Sequence, residues 1–280
     1  MSYRLNEAAG VDGITWWTMH RGASPIVGTA IHDGHALPPG FAQAMAIADE
    51  GRLREEDPHT EFFIRDVPNR IVVHQSRFAI DLNRDRDVAM YLKPEQAWGI
   101  QVFSRPPTRD MVRQAMCIHD HYYAALRAFL HQVEEQFGSF VVLDIHSYNH
   151  RRDGANAPAT RNELMPQVNI GTFSMDRRRW AHVVDPFMDR LRAFEFRGRR
   201  MDVRENVAFQ GRGEQTRFIH HEFPATGCAI AIEFKKFFMD EWTGEPDPAS
   251  VARIGGALAA TVPGLLGSLA ELPPRPEGCR

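Results

Sequence analysis

The sequence predicts an α/β protein, a three-layer α/β/α sandwich, and two observations carry that prediction. Short runs such as Phe140–Ile145 (FVVLDI) and Ala229–Phe234 (AIAIEF) are apolar at successive positions, as in strands covered on both faces. Longer stretches with apolar residues at helical spacing lie between such runs. In order along the chain, Pro25–Ile31 reads as a strand, Phe41–Glu50 as a short helix, and Asn69–Val73 and Phe78–Leu82 as two further strands. Asp110–Phe137 is the strongest helix, with Val112, Ala115, Met116, His119, Tyr122, Leu126, Phe129 and Val133 on one stripe. The strand Phe140–Ile145 follows, then a strand at Val168–Phe173, a helix at Arg177–Phe194, the strand Ala229–Phe234 and a helix at Pro248–Leu269. Neither a repeat nor a linker-like block interrupts this order. A single domain over 20–272 is expected, with an N-terminal extension at 1–19 and a Pro-rich tail at 273–280.

Composition excludes several classes. The chain has 280 residues, 43% hydrophobic and 25% charged, which is neither disordered nor fibrous. Its 33 basic and 36 acidic residues leave a formal charge of −3, so no electrostatic case exists for nucleic acid or a membrane surface as partner. Apart from Lys93, Lys235 and Lys236 the basic residues are arginines, whose planar fork suits carboxylates. Cys117, Cys228 and Cys279 are isolated, which argues against a disulfide framework and a Cys-based zinc site. The start MSYRLNEAAG lacks a basic segment followed by an apolar run, and no apolar stretch approaches about 18 residues. A cytoplasmic location is expected.

In open α/β sheets chemistry gathers at the carboxyl ends of the strands. Four polar clusters occupy such positions: Ile31-His32-Asp33-Gly34-His35, Asp81-Leu82-Asn83-Arg84, Asp144-Ile145-His146-Ser147, and Glu233. His32 and His146 each end a buried strand, and together they suggest a shared metal. A hydrolytic zinc takes three His, Asp or Glu ligands and keeps one position open for water. The third ligand is His35, Glu61 or Asp33. Asp144 lies two residues before His146, hence on the same strand face, where it can hold the imidazole from behind. Glu233 has apolar neighbours, and desolvation would tune it for proton transfer. Asn83 and Arg84 could clamp a substrate carboxylate or polarise a scissile carbonyl, and Gln210–Gly213 could form a mobile loop. Neither a phosphate loop nor a Ser or Cys nucleophile motif is present in useful context.

Taken in order, these clusters resemble the N-formylglutamate amidohydrolase family, itself similar to zinc carboxypeptidases and to the aspartoacylase/succinylglutamate desuccinylase group. The matching segments are His32-Asp33-Gly34, the acidic stretch Asp57 to Glu61, Asp81-Leu82-Asn83-Arg84, and Asp144-Ile145-His146-Ser147. Asn206, Phe209-Gln210-Gly211, Thr216-Arg217, Glu233 and Phe238-Met239-Asp240-Glu241 complete the series, which runs from about Pro25 to Trp242. Arg212 interrupts the paired glycines of the family pattern. The resemblance implies a mixed central sheet of zinc-carboxypeptidase type and a metal-dependent amidohydrolase. It implies one zinc per chain, with another divalent metal as the alternative, held by His32, Glu61 and His146. Glu233 would be the general base for a zinc-activated water, with Arg84 beside it. Asn83, Arg84, Ser147 and Arg217 would bind a small substrate carrying a carboxylate, such as N-formylglutamate. A zinc carboxypeptidase or another N-acyl amino acid deacylase is the alternative among enzymes, and a ligand-binding protein on a hydrolase scaffold is the alternative outside them.

Overall fold

The structure, a computed structural model, describes residues 5–11 and 14–271. Its strands are β1 (Leu5–Val11), β2 (Ile14–Arg21), β3 (Ile26–Ala30), β4 (Asn69–Val73), β5 (Phe140–Tyr148), β6 (Val168–Gly171), β7 (Glu195–Phe196), β8 (Arg199–Arg200), β9 (Val203–Glu205) and β10 (Gly227–Lys235). Its helices are α1 (Asp49–Glu55), α2 (Thr60–Phe63), α3 (Arg109–Phe137), α4 (Ala181–Ala193), α5 (Glu214–Glu222) and α6 (Pro248–Ala270). Eight strands form one mixed sheet in the order β1-β2-β4-β3-β5-β10-β6-β9, and β7 and β8 form a separate hairpin. The central β4, β3, β5 and β10 are parallel, so their carboxyl ends share one edge.

The three layers follow from strand alternation. Val27, Phe140, Val142 and Ala229 face a core shared with α3 and α5. Ile26, Ala30, Val141, Leu143, Ile145, Ile230 and Ile232 face the opposite core, built with α4 and α6. The long helix α3 begins where Thr108 Oγ1 accepts from the Met111 amide and ends at Gly138, whose φ of 81° stops it. At α6, Asp247 caps the start and Pro248 occupies the first turn.

Several expectations need correction. Phe78–Leu82 is buried but is not a strand: the Ser76 carbonyl accepts from the Ala79 amide and Ser76 Oγ from the Phe78 amide, coiling the segment into turns. The short helix expected over 41–50 divides into a single 3₁₀ turn at Ala42–Ala44 and the start of α1. The expected N-terminal extension contributes β1 and β2 to the sheet, with Trp17 paired to Val73. By length and composition α6 is apolar enough to cross a membrane, although its Ile254, Ala257 and Leu258 are buried in the core. The expected tail at 273–280 lies outside the described residues.

Candidate metal centre

The polar residues of the site continue the alternation of one sheet face beyond the end of its apolar core. On β5, Phe140 and Val142 give way to Asp144 and His146; on β10, Ala229 gives way to Ala231 and Glu233. Register pairs Glu233 with His146 and Asp144 with both Ala231 and Thr29 of β3. His32 follows β3 by two residues, and its carbonyl accepts the Asp57 amide at 2.9 Å. Asp57 itself lies just past α1, and Pro58 disfavours continuing the helix there. Lys236, three residues beyond Glu233, donates from Nζ to the Arg54 and Glu56 carbonyls at 2.6 and 2.7 Å, which fastens this segment from the other side.

These constraints bring His32, Asp57 and His146 together as a buried group able to hold a metal ion. His146 Nδ1 lies 3.2 Å from His32 Nδ1, and Asp57 Oδ2 lies 3.4 Å from His32 Nδ1 and 3.3 Å from His146 Nδ1. The edge of a tetrahedron with metal–ligand bonds of about 2.0–2.1 Å is about 3.3 Å, so the three atoms fit one face of such a site. Both imidazoles turn the same nitrogen inward and the other toward a carboxylate. His32 Nε2 is 2.7 Å from Asp81 Oδ1, and His146 Nε2 is 3.2 Å from Asp144 Oδ2. Such backing carboxylates fix tautomer and ring orientation in metal-binding histidines.

The backing groups are themselves held. Asp81 Oδ2 accepts from Arg77 Nη2 at 2.9 Å and from the Tyr91 hydroxyl, while Oδ1 accepts the Asn83 amide at 2.9 Å. Asp144 Oδ1 accepts from Thr29 Oγ1 at 3.0 Å and Gln215 Nε2 at 2.5 Å. Ser147 Oγ donates to Asp57 Oδ1 at 3.1 Å, leaving Oδ2 for the cluster. Burial alone would raise Asp57 and Asp81, but the His146 and His32 imidazoles outweigh it at Asp57, and Arg77 followed by His32 outweighs it at Asp81, so both are held well below the usual carboxylate range. Burial alone would lower His146; Asp144, Asp57 and Glu233 outweigh it and hold the imidazole well above its ordinary value.

A cavity of about 400 Å³ opens over the cluster, lined by Arg77, Asn83, Trp98, Arg152, the 208–213 loop and Glu233 among others. Burial, reinforced by Asp57 and Asp144 and opposed by His146 and Arg77, pushes the Glu233 carboxyl up to about 7. Among the described residues, no hydrogen-bond donor reaches it.

Not every expected residue arrives here. Glu61 points elsewhere: its amide donates to Asp33 Oδ1 at 3.0 Å and its side chain lines a different cavity with Thr18, His20 and Arg70. The reason is the turn at His59, whose left-handed φ of 72° redirects the chain between Asp57 and α2. Asp57 therefore takes the place expected for Glu61. The other candidates, Asp33 and His35, are occupied as acceptor for α2 and as partner of Glu56 Oε2 at 2.6 Å. Arg84 donates to the Gln96 carbonyl at 2.7 Å, lies over the Tyr91 ring and does not line the cavity; Arg77, seven residues earlier, does. Arg217 pairs with Asp85 at 2.8 Å and with Glu214, and lines a neighbouring cleft. Asn83 and Ser147 line the cavity, and Asn83 Nδ2 approaches His146 Nε2 at 3.4 Å. The loop expected to be mobile, Gln210–Gly213, is tied at both ends: the Gln210 carbonyl accepts the Phe173 amide at 2.8 Å, and the Asn83 carbonyl accepts the Glu214 amide at 2.9 Å. The segment leading into it is held by Asn169, whose Oδ1 accepts the Val207 and Ala208 amides at 2.9 Å and whose Nδ2 donates to the Phe209 carbonyl at 2.7 Å. Asp57 carried one readable signal, an acid directly before proline at a helix end; Arg77 carried none, because it stands just before Phe78–Leu82, a run that reads as a strand.

Comparison with known proteins bears on the family and the fold. A family model described as N-formylglutamate amidohydrolase matches residues 24–239. An N-formylglutamate deformylase of Pseudomonas putida is 30% identical over 173 residues, covering 56% of this chain and 62% of that protein, so the chain spans less than two thirds of that relative's length. The solved structure of N-formylglutamate amidohydrolase from Ralstonia eutropha JMP134 superposes with a TM-score of 0.70 at 19% identity, covering 91% of this chain and 97% of that one. A gene product of Agrobacterium tumefaciens superposes with a TM-score of 0.64 at 14% identity, covering 91% and 96%. These structural likenesses speak for the mixed-sheet α/β fold, and the family match extends across the whole cavity-forming region: the chain belongs to the N-formylglutamate amidohydrolase family.

Proposed function

We propose that the protein is a zinc-dependent amidohydrolase that removes a formyl or similarly small acyl group from the nitrogen of an acidic amino acid, N-formylglutamate first. The observation that carries this reading is the triangle of His32 Nδ1, Asp57 Oδ2 and His146 Nδ1, with edges of 3.2–3.4 Å, beside Glu233, which pairs in register with His146 and which no hydrogen-bond donor among the described residues reaches. Two nitrogens and one carboxylate oxygen suit zinc. When bound, the cation supplies Lewis acidity to a water and to the scissile carbonyl.

The chain's own residues do the rest. Asp81 and Asp144 keep the two imidazoles oriented, and Ser147 keeps Asp57 Oδ2 turned inward. Glu233 takes a proton from the water whose oxygen bonds to the acyl carbon. It then delivers that proton to the amide nitrogen as the C–N bond breaks, so a formyl substrate yields formate and the free amino acid. Arg77 is a fixed positive charge on the cavity wall, of the sign a developing oxyanion needs. The family relationship and the deformylase relative support the substrate class.

The test is formate release from N-formyl-L-glutamate by wild type and Glu233→Gln. We expect the variant to bind metal normally and lose at least about 100-fold in kcat. Near-normal turnover would remove Glu233 from the mechanism.

A further inference from the structure

We propose that Arg212 recognises the side-chain carboxylate of the substrate and thereby sets the preference for an acidic amino acid; this rests on the amidohydrolase reading above. Three arginines line the cavity, Arg77, Arg152 and Arg212, the last an exposed residue at its rim that also lines the neighbouring cleft with Phe173 and Arg217. Arg77 is paired with Asp81 at 2.9 Å and Arg152 with Glu55 at 3.2 Å. Among the described residues no carboxylate pairs with Arg212. An anionic substrate therefore has two guanidinium groups to win from internal partners and one that is available.

Arg212 is nonetheless held in place. Its Nε donates to Gln210 Oε1 at 2.8 Å, and its guanidinium carbon lies 3.7 Å from the centroid of the Phe173 ring. The backbone beneath it is fixed on both sides. Gly211 adopts a φ of 73° and packs so closely on Gly171 that a Cβ there would lie 2.4 Å from the Gly211 nitrogen. Gly213 packs on Asn83, where a Cβ would meet Oδ1 at 2.1 Å, and the Gln210 carbonyl accepts the Phe173 amide at 2.8 Å. A guanidinium stacked on a ring and carried by a docked loop has already lost much of the freedom that binding would cost. Its remaining N–H groups form the planar fork that matches a carboxylate with two parallel hydrogen bonds.

The experiment compares kcat/KM for N-formyl-L-glutamate with that for N-formyl-L-glutamine, a near-isostere without the side-chain charge, in wild type, Arg212→Ala and Arg212→Lys. Wild type should prefer the glutamate substrate by about 10- to 100-fold, the worth of a charge-assisted pair. Arg212→Ala should abolish that preference through KM for the glutamate substrate, and Arg212→Lys, with charge but no fork, should keep part of it. A preference that survives Arg212→Ala overturns the proposal, as does a loss shared equally by both substrates, which would indicate the common α-carboxylate or a packing role. Turnover of neither substrate by metal-loaded wild type overturns the amidohydrolase reading, and the proposal with it.

Discussion

Asp57→Asn separates a metal ligand from a packing residue. Asp57 Oδ2 faces both imidazoles at 3.3–3.4 Å, while Oδ1 accepts from Ser147 at 3.1 Å. Asparagine keeps the shape and the Ser147 contact but turns the anionic donor into a neutral amide. A group that merely backs a ligand is worth about 10- to 100-fold in metal affinity, so loss of the charged ligand itself should cost at least about 100-fold. In the metal-free protein the change also removes the charge opposite two buried imidazoles. Breaking a buried pair costs about 3–5 kcal/mol, and His146 recovers part of that by releasing its proton, so the variant should fold with reduced stability. Competition against a chromogenic chelator measures the affinity, and circular dichroism verifies the fold. Glu61→Gln is the matched control, because its side chain lines a different cavity. It should bind metal within about 2-fold of wild type, as a substitution remote from the cluster does. Metal retained by Asp57→Asn and lost by Glu61→Gln would refute the ligand assignment.

Two more outcomes follow from the same geometry. Glu233 must be ionised to accept a proton and its carboxyl is pushed up to about 7, so kcat/KM should fall tenfold per pH unit on the acid side of a limb at or below about 7. A profile flat down to pH 5 would show that another group takes the proton. Gly171→Ala should force the 206–213 loop off the end of β6, because the new Cβ would meet the Gly211 nitrogen at 2.4 Å. Overpacking of this kind costs about 1–3 kcal/mol, which thermal unfolding should register together with a raised KM.

The legible part of the site is the part written in strand periodicity. His146 and Asp144 share a face because they are two apart in a run too apolar to be anything but a buried strand, and Glu233 follows the same rule on β10. The illegible part depends on turns. Choosing between Asp57 and Glu61 requires knowing that His59 adopts a left-handed conformation, which a histidine does not announce. Choosing between Arg77 and Arg84 requires knowing that Phe78–Leu82, apolar enough for a strand, instead coils over Ser76. At the N-terminal end, β2 was hidden because ITWWTMHR mixes aromatic and polar residues without clean alternation, although Trp16, Trp17 and Met19 are all buried.

The most direct measurement is a metal titration of the stripped protein, following bound zinc and formate release from N-formyl-L-glutamate together. The account predicts that turnover rises in proportion to occupancy and saturates at one ion per chain. Full turnover in the stripped protein, or none at full occupancy, would contradict it.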